Sequence, residues 1–196
     1  MKIFDIYDVS EVKVVDEGLK KYINLDVKLV IKSHGRNRGR YDKGKISVIE
    51  RLINLLGVPG HRGKKQKIQT SWSSGKYDKN ANTVLDAFKI IQEKTNQNPI
   101  QVLIKAIENA APCDEVTTIE YGGARYPVSV DVSPSRRLTI ALRNLVHGAY
   151  DKAFGKKKSM AEGLADEIIA AYNNNLSESF AASKRNESQK QADSAR

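Results

Sequence analysis

Residues 131–144 read DVSPSRRLTIALRN and set Arg136 and Arg137 in the first turn of a helix that Ser133 caps and Pro134 opens. A helix start already presents unpaired N–H groups and the positive end of the macrodipole, so exposed arginines there cost roughly 0.3–1 kcal/mol each. The same place suits an anion, because N–H groups and guanidinium groups converge on one point. That anion is either a phosphate of nucleic acid or a carboxylate of the chain itself, Asp131 being the nearest in sequence.

Two more stretches carry cationic chemistry. Residues 32–45, KSHGRNRGRYDKGK, hold Lys32, Arg36, Arg38, Arg40, Lys43 and Lys45 against Asp42 alone. Residues 61–79, HRGKKQKIQTSWSSGKYDK, hold Arg62, Lys64, Lys65, Lys67, Lys76 and Lys79 against Asp78 alone. Each stretch is therefore +5, and together they account for the whole formal charge of +10 and the pI near 9.6. A neutral body with two basic, glycine- and serine-bearing loops favours phosphate contact over mere solvation. Trp72 and Tyr77 sit among those lysines, where rings can stack on unpaired bases. Tyr77 also belongs to an apolar helical stripe and reads as core; Trp72 serves either stacking or the cover of a core edge.

Other chemistries find no support. The loop GVPGHRGKK fails as a Walker loop: five residues separate Gly57 from Gly63, and Lys65 follows the lysine where Ser or Thr is needed. His34, His61 and His147 have neither triad nor metal company, and the one cysteine, Cys113, cannot form an intramolecular disulfide. Asp166 and Glu167 fall on the polar side of an amphipathic helix. The reading is no catalytic set, no metal and no cofactor. No signal peptide or membrane-length apolar run is visible, so no membrane partner is expected.

The elements that must position the cations are mostly helical. The first thirty residues alternate weakly and read as extended or irregular. SVIERLINLLG predicts a helix with Ser47 and Glu50 as a capping box, ended by Gly57 and Pro59. A second helix spans about 76–94, with Tyr77, Ala81, Val84, Phe88 and Ile91 as its buried stripe. A third starts at Asn98-Pro99, buries Ile100, Leu103, Ile104 and Ile107, and stops before Pro112. Gly122-Gly123 makes a two-residue turn, which opposes Glu120 to Arg125 and Ile119 to Tyr126. Pro127 cannot donate to a ladder, so the hairpin reads as an isolated arm rather than part of a larger sheet. The fourth helix carries Leu138, Ala141, Leu142, Leu145, Ala149 and Ala153; the fifth opens on a capping box of Ser159 and Glu162. The fold class expected is mainly α: a single helical bundle with a protruding two-stranded β-hairpin arm. One RNA-binding domain spans 1–172, with the arm at 116–132. Residues 173–196 are a polar C-terminal tail, either flexible or ordered by a partner.

These segments resemble a known family. HGR with GRYDKGKISVIERLIN, then DAFKIIQEKTNQNPIQVLIKAIENAAP, then YGGARYPVSVDVSPSRRLTIALRN, and finally KSMAEGLADEIIAA resemble the universal small-subunit ribosomal protein family seven, in its archaeal and eukaryotic form. The likeness covers nearly the whole chain from about Val12. It implies a cytoplasmic structural constituent of the small ribosomal subunit that binds the ribosomal RNA of the head and supports its assembly. It also implies neighbouring small-subunit proteins as partners, with exit-site tRNA and mRNA nearby. By the same resemblance Arg125, Arg136, Arg137, Arg143 and the two basic loops are RNA contacts, and the arm tip, Gly122 and Gly123, lies nearest tRNA. Two positions depart from the family pattern: Tyr77 replaces the second lysine of a Gly-Lys-Lys slot, and Cys113 stands where an arginine is usual. An enzyme that modifies or cleaves RNA would need a cofactor loop, a metal cluster or an acid-base pair, and none is evident. Composition alone leaves a DNA-architectural protein as a rival, which the resemblance demotes.

Overall fold

The computed structural model describes residues 2–27, 31–37, 39, 42–62, 65–66 and 73–196, giving the backbone alone for 61, 62, 65 and 66. The chain opens with a tiny antiparallel pair, β1 (Lys2–Ile3) and β2 (Tyr7–Asp8), followed by a single helical turn, α1 (Glu17–Lys20). Asp16 caps that turn by accepting from the Gly18 N–H, and Leu19 is buried beneath it. A 3₁₀ turn at Asp42–Lys45 leads into α2 (Val48–Leu56). A second short pair, β3 (His61–Arg62) with β4 (Lys65–Gln66), falls in the following loop.

The bundle proper is α3 (Tyr77–Thr95), α4 (Pro99–Ala110), α5 (Pro134–Ala153) and α6 (Met160–Tyr172). Between α4 and α5 stand β5 (Asp114–Tyr121) and β6 (Ala124–Asp131), which pair only with each other. A last helix, α7 (Phe180–Ser194), closes the chain. Among the described residues no helix is long and apolar enough to cross a membrane.

Helix α4 packs against α3, α5, α6 and α7. Ile100, Val102, Leu103, Ile104, Ala106 and Ile107 are all buried, a stripe wide enough to face neighbours on several sides. Burying each of its large aliphatic side chains contributes roughly 1.5–3 kcal/mol. Asn98 accepts from the Ile100 N–H and Pro99 follows at the first helical position, as the sequence predicts. At the α5–α6 contact, a Cβ built on Gly163 would lie 2.7 Å from the Ala149 carbonyl oxygen. The glycine is what lets the two backbones approach.

Three sequence expectations are corrected. The Ser47–Glu50 capping box does not form: Glu50 instead accepts from the Ser33 N–H and hydroxyl at 2.8 and 2.6 Å. Ser47 Oγ is left buried without a hydrogen bond among the described residues. Ser133 likewise makes no side-chain cap, although Pro134 opens α5 as expected. The polar end, read from sequence as a tail, is helical over Phe180–Ser194. Ser179 caps α7 by accepting from the Ala182 N–H, and the helix buries Ala181, Ala182 and Ala192 against the body. Its footing is Glu167, fully buried, which accepts from Ser179 Oγ and the Ala181 N–H and lies 2.7 Å from Lys152 Nζ. The box at Ser159 and Glu162 does form, with both reciprocal hydrogen bonds present.

Candidate nucleic-acid interface

The arm follows the register that its turn dictates. Glu120 faces Arg125, Ile119 faces Tyr126 and Thr118 faces Pro127. Gly122 and Gly123 take φ of 58° and 81°, the left-handed pair that a two-residue hairpin turn requires. Every residue from Thr117 to Pro127 is exposed, so this part of the ribbon projects from the body. One face carries Ile119, Tyr121 and Tyr126, all largely exposed; the other carries Glu120 and Arg125, 3.6 Å apart.

The two arginines after the arm have found anions inside the protein. Arg136 donates through Nε and Nη2 to both oxygens of Glu115 on β5, at 2.6 and 2.7 Å. That bidentate bond holds the Glu115 carboxyl below its ordinary range, and the carboxylate in turn raises the Arg136 guanidinium. Arg137 turns the other way. Its Nε donates to the Pro112 carbonyl at 3.1 Å and its Nη2 to Asp16 Oδ2 at 2.8 Å, with Cys113 Sγ at 3.6 Å. The Arg137 side chain is only 14% exposed, whereas that of Arg136 is 59% exposed.

One arginine therefore ties the root of the arm to α5, and the other ties α1 and the α4–β5 junction to the same turn. Both partners differ from Asp131, the nearest carboxylate in sequence. Asp16 lies 121 positions from Arg137 and carries no local signal. Glu115 was within reach of sequence reasoning, since the hairpin register places it at the base of the arm, opposite Val130.

The remaining predicted cations divide by exposure. Arg125 and Arg143 are exposed, and Arg143 makes no ion pair among the described residues. On the first basic loop Lys43 is exposed, Lys45 pairs with Asp42 at 2.8 Å, and Arg36 Nε donates to the Ser33 carbonyl. Lys32 holds its ammonium 4.8 Å from the Tyr77 ring centroid, a cation–π contact. Tyr77 packs partly buried against the core, in line with the core reading. Its hydroxyl is pushed up to about 12 by burial and by the nearby charges of Glu50 and Asp78. Lys76 is exposed at the start of α3. Arg62 and Lys65 are described by backbone only; Arg38, Arg40, Lys64, Lys67 and Trp72 lie outside the described residues. Among the described residues no cluster of His, Cys, Asp and Glu is arranged to hold a metal ion.

Comparison with known proteins accords with this architecture. Residues 19–196 match the family described as ribosomal protein S7p/S5e. The chain is 48% identical over 197 residues to small ribosomal subunit protein uS7 of Nanoarchaeum equitans, an alignment covering 100% of this chain and 99% of that protein. It is 49% identical over 196 residues to the protein of the same name in Thermoplasma volcanium, covering 99% and 100%. The corresponding protein of Archaeoglobus fulgidus is 46% identical over 195 residues, covering 99% and 94%. The family is one of structural proteins and not of enzymes. On this full-length agreement the chain belongs to the ribosomal protein family S7p/S5e, in its archaeal and eukaryotic form.

Proposed function

We propose that this chain is a structural constituent of the cytoplasmic small ribosomal subunit, binding small-subunit ribosomal RNA in the head domain and supporting assembly of that domain. The observation that carries the reading is near-half identity, over the full length, to proteins of the small ribosomal subunit. Arg125, Arg143, Lys43, Lys76 and the outward edge of Arg136 meet the RNA backbone, joined by the cations of the two basic loops. Arg137, held inside by Asp16 and Pro112, serves from beneath by fixing the arm and body to each other. Affinity comes from many phosphate contacts, and specificity from the shape of the folded RNA. The projecting arm carries its tip, Gly122 and Gly123, toward exit-site tRNA and mRNA, while the body meets neighbouring small-subunit proteins.

Sedimentation of a cell extract at rising ionic strength tests this directly. The chain is expected to travel with the small subunit at low salt and to leave it progressively as salt rises. A chain that remains at the top of the gradient at low salt overturns the proposal.

A further inference from the structure

The arm has two long edges, and the alternation of its ladder makes them unequal. A two-residue turn closes on a hydrogen-bonded pair, Tyr121 with Ala124, and bonded and unbonded pairs alternate from there to the base. The pattern arrives at the base in phase: the Val132 N–H donates to the Cys113 carbonyl at 2.8 Å, where a bonded pair is due. The unbonded pairs are therefore Glu120–Arg125, Thr118–Pro127, Val116–Ser129 and Asp114–Asp131, whose backbone groups point away from the partner strand. On β6 the middle of that outward row is Pro127, which has no N–H to offer. On β5 the row is intact.

The lower end of the β5 edge is already occupied, since Ser188 on α7 donates to the Asp114 carbonyl at 3.1 Å. Above it, Val116, Thr118 and Glu120 make no outward backbone hydrogen bond among the described residues, and Thr118 and Glu120 are exposed. Two strands are marginal alone, whereas three with an apolar face can be stable. The start of such a face is present, for Ile119 and Tyr121 stand on the same side as Tyr126 and all three are largely exposed.

Charge selects the chemistry of the missing strand. Strands β5 and β6 hold Asp114, Glu115, Glu120 and Asp131 against Arg125 alone. Arg136 and Arg196 reach in to Glu115 and Asp114, and one carboxylate is still in excess. Glu120 and Arg125 lie 3.6 Å apart with both side chains largely exposed, a weak pair that leaves Glu120 open to a second cation. On a chain of +10, this flank offers a phosphate backbone no cationic surplus.

We propose that the Val116–Glu120 edge of β5 takes an extended segment of another protein as a third strand. The segment alternates apolar side chains, laid beside Ile119, with lysines or arginines, laid beside Glu120. The inference rests on the reading above that small-subunit proteins are neighbours, and gives one of them a place that leaves the arm tip and Arg125 to RNA.

The test uses the full chain, isotope-labelled, and a short peptide that alternates valine and lysine, with amide hydrogen exchange read by NMR. Saturating peptide is expected to slow exchange at Val116, Thr118 and Glu120 by about tenfold or more, with little change at Thr117 and Ile119, whose N–H groups already face β6. The same peptide N-methylated at alternate residues loses its ladder donors and should bind at least about tenfold more weakly. Thr118→Pro gives β5 the blocked edge that β6 already has and should weaken binding likewise, while Thr118→Val keeps the N–H and binds as wild type. Should Thr118→Pro open the hairpin, the N-methylated peptide still decides. No binding by the wild type, unchanged exchange at the three amides, or equal binding of the N-methylated peptide overturns the proposal. So does protection of those amides by a fragment of small-subunit head RNA, or by a rising concentration of the chain itself, which would mark an RNA contact or a pairing of two copies. Failure of the wild type to bind the head RNA removes the proposed function; RNA binding beside an edge that ignores the peptide removes this inference alone.

Discussion

Replacing Arg137 by alanine should cost stability and leave the salt dependence of RNA binding intact; replacing Arg136 should do the reverse. Arg137→Ala removes a charge-assisted bond to Asp16 and a bond to the Pro112 carbonyl. Hydrogen bonds to charged groups contribute roughly 1.5–3 kcal/mol, and stranded buried acceptors cost a similar amount. Two terms reduce the sum. Asp16 keeps its bond from the Gly18 N–H and a 27% exposed side chain, and removing a cation from a helix start returns roughly 0.3–1 kcal/mol. A net loss of about 2 kcal/mol follows. Arg136 is 59% exposed, so its pair with Glu115 is discounted to below about 1 kcal/mol. Urea denaturation followed by circular dichroism separates them: about 2 kcal/mol is a midpoint shift of roughly 1 M for a typical slope. In a head-RNA binding series, Arg136→Ala should lower the slope of log K against log salt by about 0.7–0.9, and Arg137→Ala should not. An Arg137→Ala protein within about 0.5 kcal/mol of wild type that also loses slope would refute the division of labour.

Glu167→Ala strands Ser179 Oγ and the Ala181 N–H and should cost about 3–5 kcal/mol, read as lost hydrogen-exchange protection through residues 180–194. Gly163→Ala would stabilise an ordinary helix by about 1 kcal/mol, but here the new methyl meets the Ala149 carbonyl, so a loss of about 1–3 kcal/mol in thermal or urea melts is expected. The Glu115 carboxyl should titrate below the usual range in an NMR pH series, and Arg136→Ala should move it back upward. Because the folded value is the lower one, the Glu115 contribution is present above the ordinary carboxylate range and is lost as pH falls through the folded value.

Legibility from sequence followed the distance over which each feature is decided. Helices α3 to α6 and the arm register are set by periodicity and by turn residues a few positions apart. Ile100, Leu103, Ile104 and Ile107 announce their face, and Gly122-Gly123 fixes which residues oppose each other. The failed box at Ser47 shows the limit, for Glu50 has the right spacing but is taken by Ser33, 17 positions earlier. The family was legible in long segments, yet the state of Arg137 was not, because its partner Asp16 arrives through tertiary packing. Helix α7 escaped notice for a related reason. Its buried face is made of alanines, which give little periodic contrast, and its anchor is a carboxylate on another helix that reads as solvated surface.

Helix α7 also reaches the base of the arm: Ser188 Oγ donates to the Asp114 carbonyl at 3.1 Å, and Arg196 pairs with the Asp114 carboxylate at 3.2 Å. Residues made more than seventy positions later thus brace the pivot of a lever whose strands and turn are already complete. During translation the finger can zip up early, but its bearing is tightened only once the segment reaching Arg196 has emerged. A nascent polypeptide halted before that point would carry the finger on a slack joint.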